Sequence, residues 1–242
     1  MRILVLGGTT EARQLIDQIR KGDDHEVILS LAGRTRAPHS NADQTRIGGF
    51  GGVEGLAAYI KDAAVDAVID ASHPFAAQIS TNVVAAVADP GLPLCRLERP
   101  PWTATPGDRW ISVEDLPSAA AALPAGARVF LSVGSLGAEA FRYRRDLWFL
   151  IRALSEPSGD WPSTTKFHIG PPVSSIAEEI DLLRSNRIAY LVTRNSGANA
   201  GQAKISAAKA LDLPVVMISR PILPDCFKVA GVPAVLDWLS GL

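Results

Sequence analysis

The sequence predicts an α/β protein with two Rossmann-like parallel-sheet domains. Three observations predict it. Short apolar runs alternate with segments of helical period along the whole chain. The runs are continuously apolar, as strands buried on both faces are. Many of them end in small, hydroxyl-bearing or basic clusters rather than plain turns. Ligands of open α/β sheets bind outside the carboxyl ends of the strands, so these clusters locate a binding surface.

Strands are expected at 2–6, 26–31, 66–70, 92–96, 109–113, 128–133, 147–153, 188–192 and 214–218, with a short tenth at 227–230. Helices are expected at 10–21, 54–62, 74–88, 115–122, 135–141, 173–185, 199–211 and 233–241. In the first helix Ala12, Leu15, Ile16 and Ile19 line one face, and Arg13, Gln14, Asp17 and Arg20 the other. Such alternation builds right-handed βαβ units. The boundary is placed at Glu98-Arg99-Pro100-Pro101-Trp102, where two prolines end a strand and stiffen a link. This gives an N-terminal domain 1–98 and a C-terminal domain 99–242. Glu156 to Pro162 reads as a surface loop. A central cleft between two such halves is where a cofactor and a substrate would meet.

The 242 residues leave room for two domains, and an apolar fraction of 47% supports a substantial core. A net charge of −1 gives no global field toward nucleic acid or a membrane, so neither is an expected partner. Cys95 and Cys226 lie far apart beside apolar runs and are expected to be free thiols in a reducing compartment. The apolar run Ile3 to Leu6 is too short for a signal peptide. No stretch approaches the roughly 20 apolar residues of a membrane span. The expected location is cytoplasmic, and a monomer is the default oligomeric state. His25, His39, His73 and His168 lack ligand spacing and there is no C-x-x-C, so no metal is expected. The chain has no G-x-S-x-G elbow and no Walker A lysine, which argues against hydrolase and phosphotransferase chemistry.

The first βα turn, Gly7-Gly8-Thr9-Thr10-Glu11-Ala12, is the strongest local signal. Glycines let backbone approach a ligand, and the helix N-terminus offers N–H groups and partial positive charge. The pattern is not G-x-G-x-x-G, and Glu11 would repel a pyrophosphate; the structural alternative is a tight turn with a threonine N-cap. NAD sites place an acid about 20 residues beyond the glycine loop. Here Ser30-Leu31-Ala32-Gly33-Arg34-Thr35-Arg36 contains none. Ser30, Gly33, Arg34 and Arg36 are therefore candidates for a nucleotide with a 2′-phosphate, favouring NADP over NAD, with a solvated basic loop as the alternative. Gly48-Gly49-Phe50-Gly51-Gly52 is either a close approach to the cofactor or a flexible connector. Ser72 and His73 stand at the end of the strand 66–70 and open the following helix. Contact with cofactor or substrate competes there with a capping role. His73 is the one catalytic candidate, and a weak one, because no partner carboxylate can be assigned to it.

In the second half Gly134-Ser135-Leu136-Gly137 repeats the logic of the first turn. Arg142, Arg144 and Arg145 read as a solvated face. Thr193-Arg194-Asn195-Ser196-Gly197 packs a cation, an amide and two hydroxyls before a helix, which suits a carboxylate or phosphate. Lys204 and Lys209 follow on that helix, either as further cations or as surface lysines.

Taken together, these segments resemble the precorrin-6A reductase family of cobalamin biosynthesis. The resemblance rests on Ile3 to Ala12, on Asp70-Ala71-Ser72-His73-Pro74-Phe75-Ala76 and on Leu97-Glu98-Arg99-Pro100. It continues through Val192 to Gly197, Ala203-Lys204-Ile205-Ser206-Ala207-Ala208-Lys209 and Leu213 to Pro221, in family order over nearly the whole chain. Ser72 stands where threonine is more usual, with the hydroxyl kept. The resemblance implies NADPH-dependent reduction of one carbon–carbon double bond of the precorrin-6A macrocycle, giving precorrin-6B. It also implies two Rossmann-like halves facing one cleft, with strand exchange between them and without the usual glycine fingerprint. A macrocycle rich in acetate and propionate groups needs scattered cations, and Arg99, Arg194, Lys204 and Arg220 are the candidates, with Gly134, Ser135, Asn195, Ser196 and Gly197 around them. Two other readings stay open at this point: a non-catalytic NADP-binding sensor, and an NADPH reductase of a smaller unsaturated acid.

Overall fold

The computed structural model describes residues 1–22, 25–33, 41–89 and 91–242. In chain order the strands are β1 (Arg2–Leu6), β2 (Glu26–Leu31), β3 (Gln44–Ile47), β4 (Ala67–Asp70), β5 (Leu94–Leu97), β6 (Trp110–Val113), β7 (Arg128–Ser132), β8 (Trp148–Ala153), β9 (Thr165–Ile169), β10 (Tyr190–Arg194), β11 (Val215–Ile218) and β12 (Lys228–Val229). The helices are α1 (Thr10–Ile19), α2 (Gly52–Asp62), α3 (Ala77–Ala88), α4 (Leu116–Ala121), α5 (Gly134–Ala138), α6 (Ile176–Ser185), α7 (Gln202–Ala210) and α8 (Val232–Ser240).

Two compact units result, one of Met1–Pro100 with Pro221–Leu242 and the other of Pro101–Arg220. Each holds one six-stranded parallel sheet. The first runs β3-β2-β1-β4-β5-β12 and the second β9-β8-β7-β10-β11-β6. Both have the doubly wound order in which the chain reverses direction beside a central first strand. The sixth place is filled unusually. β6 follows β5 in the chain but joins the second sheet, and β12 follows β11 but joins the first. This is the strand exchange that the resemblance implied.

A single division into 1–98 and 99–242 therefore does not describe the molecule, because residues 221–242 return to the first unit. β12 pairs with β5, with Lys228 opposite Arg96 and Val229 opposite Leu97. From α8, Val235 and Leu239 enter the same apolar cluster as Ile3, Val5, Leu15, Ile16 and Leu29. Alternate residues of the same strands face the other way. Leu4, Leu6, Ile28 and Val68 pack with Leu56 and Ile60 of α2 and Val83 and Val87 of α3. Each such fully buried aliphatic side chain stabilises the fold by roughly 1.5–3 kcal/mol. In the second unit Phe130, Leu150, Leu191, Val215 and Met217 pack with Leu183 of α6 and Ile205 and Ala208 of α7.

Two strands, β3 and β9, are absent from the sequence-based expectation. They are edge strands of largely accessible residues, Gln44-Thr45-Arg46-Ile47 and Thr165-Lys166-Phe167-His168-Ile169, and lack the continuous apolar run that marks a buried strand. Cys95 is buried and Cys226 half-buried, and both are free. Burial pushes the Cys95 thiol up to about 12 and raises that of Cys226 as well. Among the described residues no helix is long and apolar enough to cross a membrane.

Candidate functional site

In the first sheet the order reverses at β1, between β2 and β4. Ligands of doubly wound sheets bind outside the carboxyl ends of the strands at such a point, which here are the ends of β1 and β4. Gly7 to Thr10 follow the one, and Ala71 to His73 the other. Thr9 ties them together, donating from Oγ1 to the Ala71 carbonyl at 2.8 Å. It also caps α1 by accepting from the Ala12 N–H at 3.1 Å. Its hydroxyl therefore serves the scaffold. Thr9→Val is expected to cost roughly 1–2 kcal/mol, with Thr9→Ser close to wild type. Chemical denaturation checks this, and a valine variant as stable as the parent would contradict it.

The two glycines have different jobs. A Cβ on Gly7 would stand 2.5 Å from Leu29 Cδ1, so the turn is pressed onto β2, and the Gly7 N–H donates to the Ser30 carbonyl at 2.9 Å. Gly8 has φ +112° and nothing within 4 Å of an added Cβ. It supplies the left-handed turn and an open approach. Thr10 is exposed in the first turn of α1, where the leading N–H groups have no intrahelical partner. This donor set fits a pyrophosphate. The expected repulsion from Glu11 is met by Arg99, whose Nη1 lies 2.7 Å from Glu11 Oε2. Arg99, expected among the substrate cations, thus stands beside the glycine turn.

At the end of β4, Asp70 is buried and accepts from Ser72 Oγ at 2.6 Å and from the Ser72 N–H at 3.2 Å. Its other oxygen meets Arg96 Nε at 3.2 Å. Arg96 also donates to the Pro224 carbonyl at 3.1 Å and the Ser80 carbonyl at 3.4 Å. Ser72 is therefore held by a buried ion pair. His73 Nδ1 accepts from the Phe75 N–H at 3.2 Å, which assigns the neutral ring's proton to Nε2. At the end of β2, Ser30 is buried and Gly33 has φ +78°. Arg34 and Arg36 lie outside the described residues. Ser30 Oγ accepts from Nη1 of Arg46 at 2.9 Å, a residue of β3 that the sequence reading did not single out.

In the second sheet the order reverses at β7, between β8 and β10. Gly134 follows β7 with φ +75°, and Ser135 Oγ donates to the Ser155 carbonyl at 3.0 Å. Arg194 ends β10 and lies against α5, where a Cβ on Gly137 would come within 2.8 Å of its Nη2. The neighbours of Arg194 are bound up in the scaffold. The Asn195 amide accepts from the Trp102 N–H at 2.7 Å and donates to the Trp102 carbonyl at 2.9 Å. Arg220 braces the loop from behind, donating to the carbonyls of Asn195 at 3.0 Å and Ser196 at 3.1 Å. Ser196 Oγ accepts from the Ala198 N–H at 3.4 Å, and Gly197 turns the chain with φ +67°.

Lys204 is not a surface lysine. It is 5% exposed, with Nζ 5.2 Å from the Trp102 ring centroid. Burial pushes its amine down to about 8; Glu179 opposes the shift and Arg152 adds to it. Glu179 and Arg152 are a bidentate ion pair, 0% and 4% exposed. The sequence reading missed both. Their signal was an arginine inside the apolar run Leu147 to Leu154, since a charge in a doubly buried strand needs a partner. Lys209, by contrast, donates to Thr105 Oγ1 at 2.7 Å at the surface. Among the described residues no group of three or more His, Cys, Asp or Glu side chains could hold a metal ion.

The first sheet, with an open glycine turn at a helix N-terminus beside its switch point, has the doubly wound parallel fold of the Rossmann-like α/β proteins. Comparison with known families makes the assignment particular. The model of the precorrin-6x reductase family, CbiJ/CobK, matches residues 2–240, and the chain belongs to that family. It is accordingly a reductase. The precorrin-6A reductase of Rhodococcus erythropolis is 44% identical over 100% of this chain and 98% of its own. That of Rhodobacter capsulatus is 44% identical over 99% of this chain and 96% of its own. A solved structure described as CobK precorrin-6A reductase superposes with a TM-score of 0.92 at 44% identity, covering 100% of this chain and 96% of that one. The cobalt-precorrin-6A reductase of Methanothermobacter thermautotrophicus is 29% identical over 91% of this chain and 77% of its own.

Proposed function

We propose that the protein reduces one carbon–carbon double bond of precorrin-6A, giving precorrin-6B, with NADPH as the reductant, in cobalamin biosynthesis. The observation that carries this reading is full-length similarity at 44% identity to proteins named precorrin-6A reductase. The relatives at 40–44% carry the cobalt-free name, while those near 30% carry the cobalt-precorrin name, which favours a cobalt-free substrate.

In this reading Gly8, Thr10 and the first N–H groups of α1 hold the pyrophosphate, and Arg99 cancels the charge of Glu11 beside it. Ser72 and His73 border the same crevice from β4. NADPH, when bound, supplies the hydride; the protein supplies position and field. Arg194 at the end of β10 is the cation for a carboxylate of the macrocycle. Asn195 and Arg220 act through it by holding the loop, and Gly137 leaves room for its guanidinium. The neighbouring carbon receives a proton from His73 or water.

Purified protein should oxidise NADPH only when precorrin-6A is added, and the product should be heavier by one hydride and one proton. Arg194→Ala should raise KM for the macrocycle while leaving NADPH binding intact. Absence of turnover with authentic precorrin-6A would refute the reading. An Arg194→Ala variant unchanged in every assay would point to a non-catalytic nucleotide sensor.

A further inference from the structure

We propose that Arg46 reads the 2′-phosphate of the dinucleotide and is the residue that selects NADPH over NADH; the inference rests on the cofactor reading above. In doubly wound sheets the adenosine ribose lies over the carboxyl end of the second strand, where NAD enzymes carry an acid. Here that strand is β2, and Ser30 stands near its end. Parallel pairing sets Arg46 of β3 beside Ser30, and the guanidinium reaches the serine hydroxyl at 2.9 Å.

Arg46 is held differently from the arginines that the fold pairs with acids. Arg2, Arg20, Arg96, Arg99, Arg144 and Arg152 each face a carboxylate. Among the described residues Arg46 faces none. Neutral acceptors fix it instead: Ser30 Oγ, the Gly48 carbonyl at 2.9 Å and the Gly49 carbonyl at 2.9 Å. Its guanidinium carbon lies 3.7 Å from the centroid of the Phe50 ring and 5.1 Å from that of Tyr59. The cation is thus positioned without being neutralised. Three of its five N–H donors are engaged; the Nε–H and one N–H of Nη2 have no partner among the described residues. A planar fork with donors to spare matches phosphate oxygens. The backbone carbonyls of residues 48 and 49 orient the guanidinium.

The test is isothermal titration calorimetry of NADPH and of NADH with the wild type, Arg46→Gln, Arg46→Lys and Ser30→Ala, with melting curves to confirm folding. Wild type should bind NADPH the more tightly. Arg46→Gln should weaken NADPH roughly ten- to a hundredfold and NADH by no more than about twofold. Arg46→Lys should keep part of the preference, and Ser30→Ala, which leaves the other Arg46 contacts in place, should lower it by a smaller factor. Equal weakening of both nucleotides would show that Arg46 only braces the glycine loop and would overturn the inference. A preference for NADPH retained in Arg46→Gln would overturn it while leaving the cofactor reading standing. A wild type indifferent between the two nucleotides would overturn both.

Discussion

Glu179→Gln is expected to destabilise the protein by about 3–5 kcal/mol, the usual cost of removing one partner from a buried ion pair. The substitution keeps the shape of the side chain, so packing is not at issue. What changes is the charge balance of an enclosed space. Glu179 accepts from both Nη atoms of Arg152, and the ammonium of Lys204 feels the same carboxylate. Without it two cations remain inside the second unit. Arg152 already has a buried Nε–H with no hydrogen-bond partner among the described residues, so the site has no slack in reserve. Denaturant melts followed by circular dichroism provide the measurement. A loss below about 1 kcal/mol would show that water reaches the pair. Replacing Glu179 and Arg152 together by apolar residues of similar volume should recover much of the loss, because the desolvation cost disappears with both charges.

Lys204 carries the second large effect, and it appears in the pH dependence. The folded amine titrates at about 8, against 10.5 for the ordinary value. Below pH 8 the group is charged in both states, and the folded protein bears the cost of enclosing the charge. Between 8 and 10.5 the unfolded chain holds a proton that the folded one has released. Stability therefore rises with pH across that window and levels off above it. The full span corresponds to about 3 kcal/mol. Lys204→Met should be more stable than wild type at neutral pH, with the difference shrinking to nothing as pH passes 10.5. Cys95 and Cys226 work in the opposite sense, since their thiols are raised and ionise first in the unfolded chain. Taking the difference between the two proteins at each pH removes that contribution. A difference that stays constant from pH 7 to 11 would mean that the ammonium is not desolvated in the folded protein.

What the sequence disclosed follows from what each residue needs in order to be recognised. The buried strands announced themselves through runs such as Ala67-Val68-Ile69 and Val215-Val216-Met217-Ile218, because a strand covered on both faces leaves no polar position. That Gly8, Ser72, His73 and Arg194 would stand at strand ends was legible because the carboxyl end of a strand is a place defined by the chain itself. Partner choice was not legible. Arg99 meets Glu11 across 88 residues, and Asn195 meets Trp102 across 93. The sequence shows the charge or the amide but not what will face it. Arg46 stayed hidden for a further reason: its strand is an edge strand, polar enough to pass for a loop.

The crossed arrangement of the sixth strands has a consequence for synthesis on the ribosome. When the first hundred residues have emerged, the outer flank of β5 still lacks its neighbour. The segment destined for it, with the helix that seals the hydrophobic layer behind it, is among the last to be translated. Meanwhile β6 is the nearest strand in the chain and a local rival for that flank. Native assembly requires β6 to pass over this seat for a sheet not yet made, so the early half of the polypeptide waits on the late half to become whole.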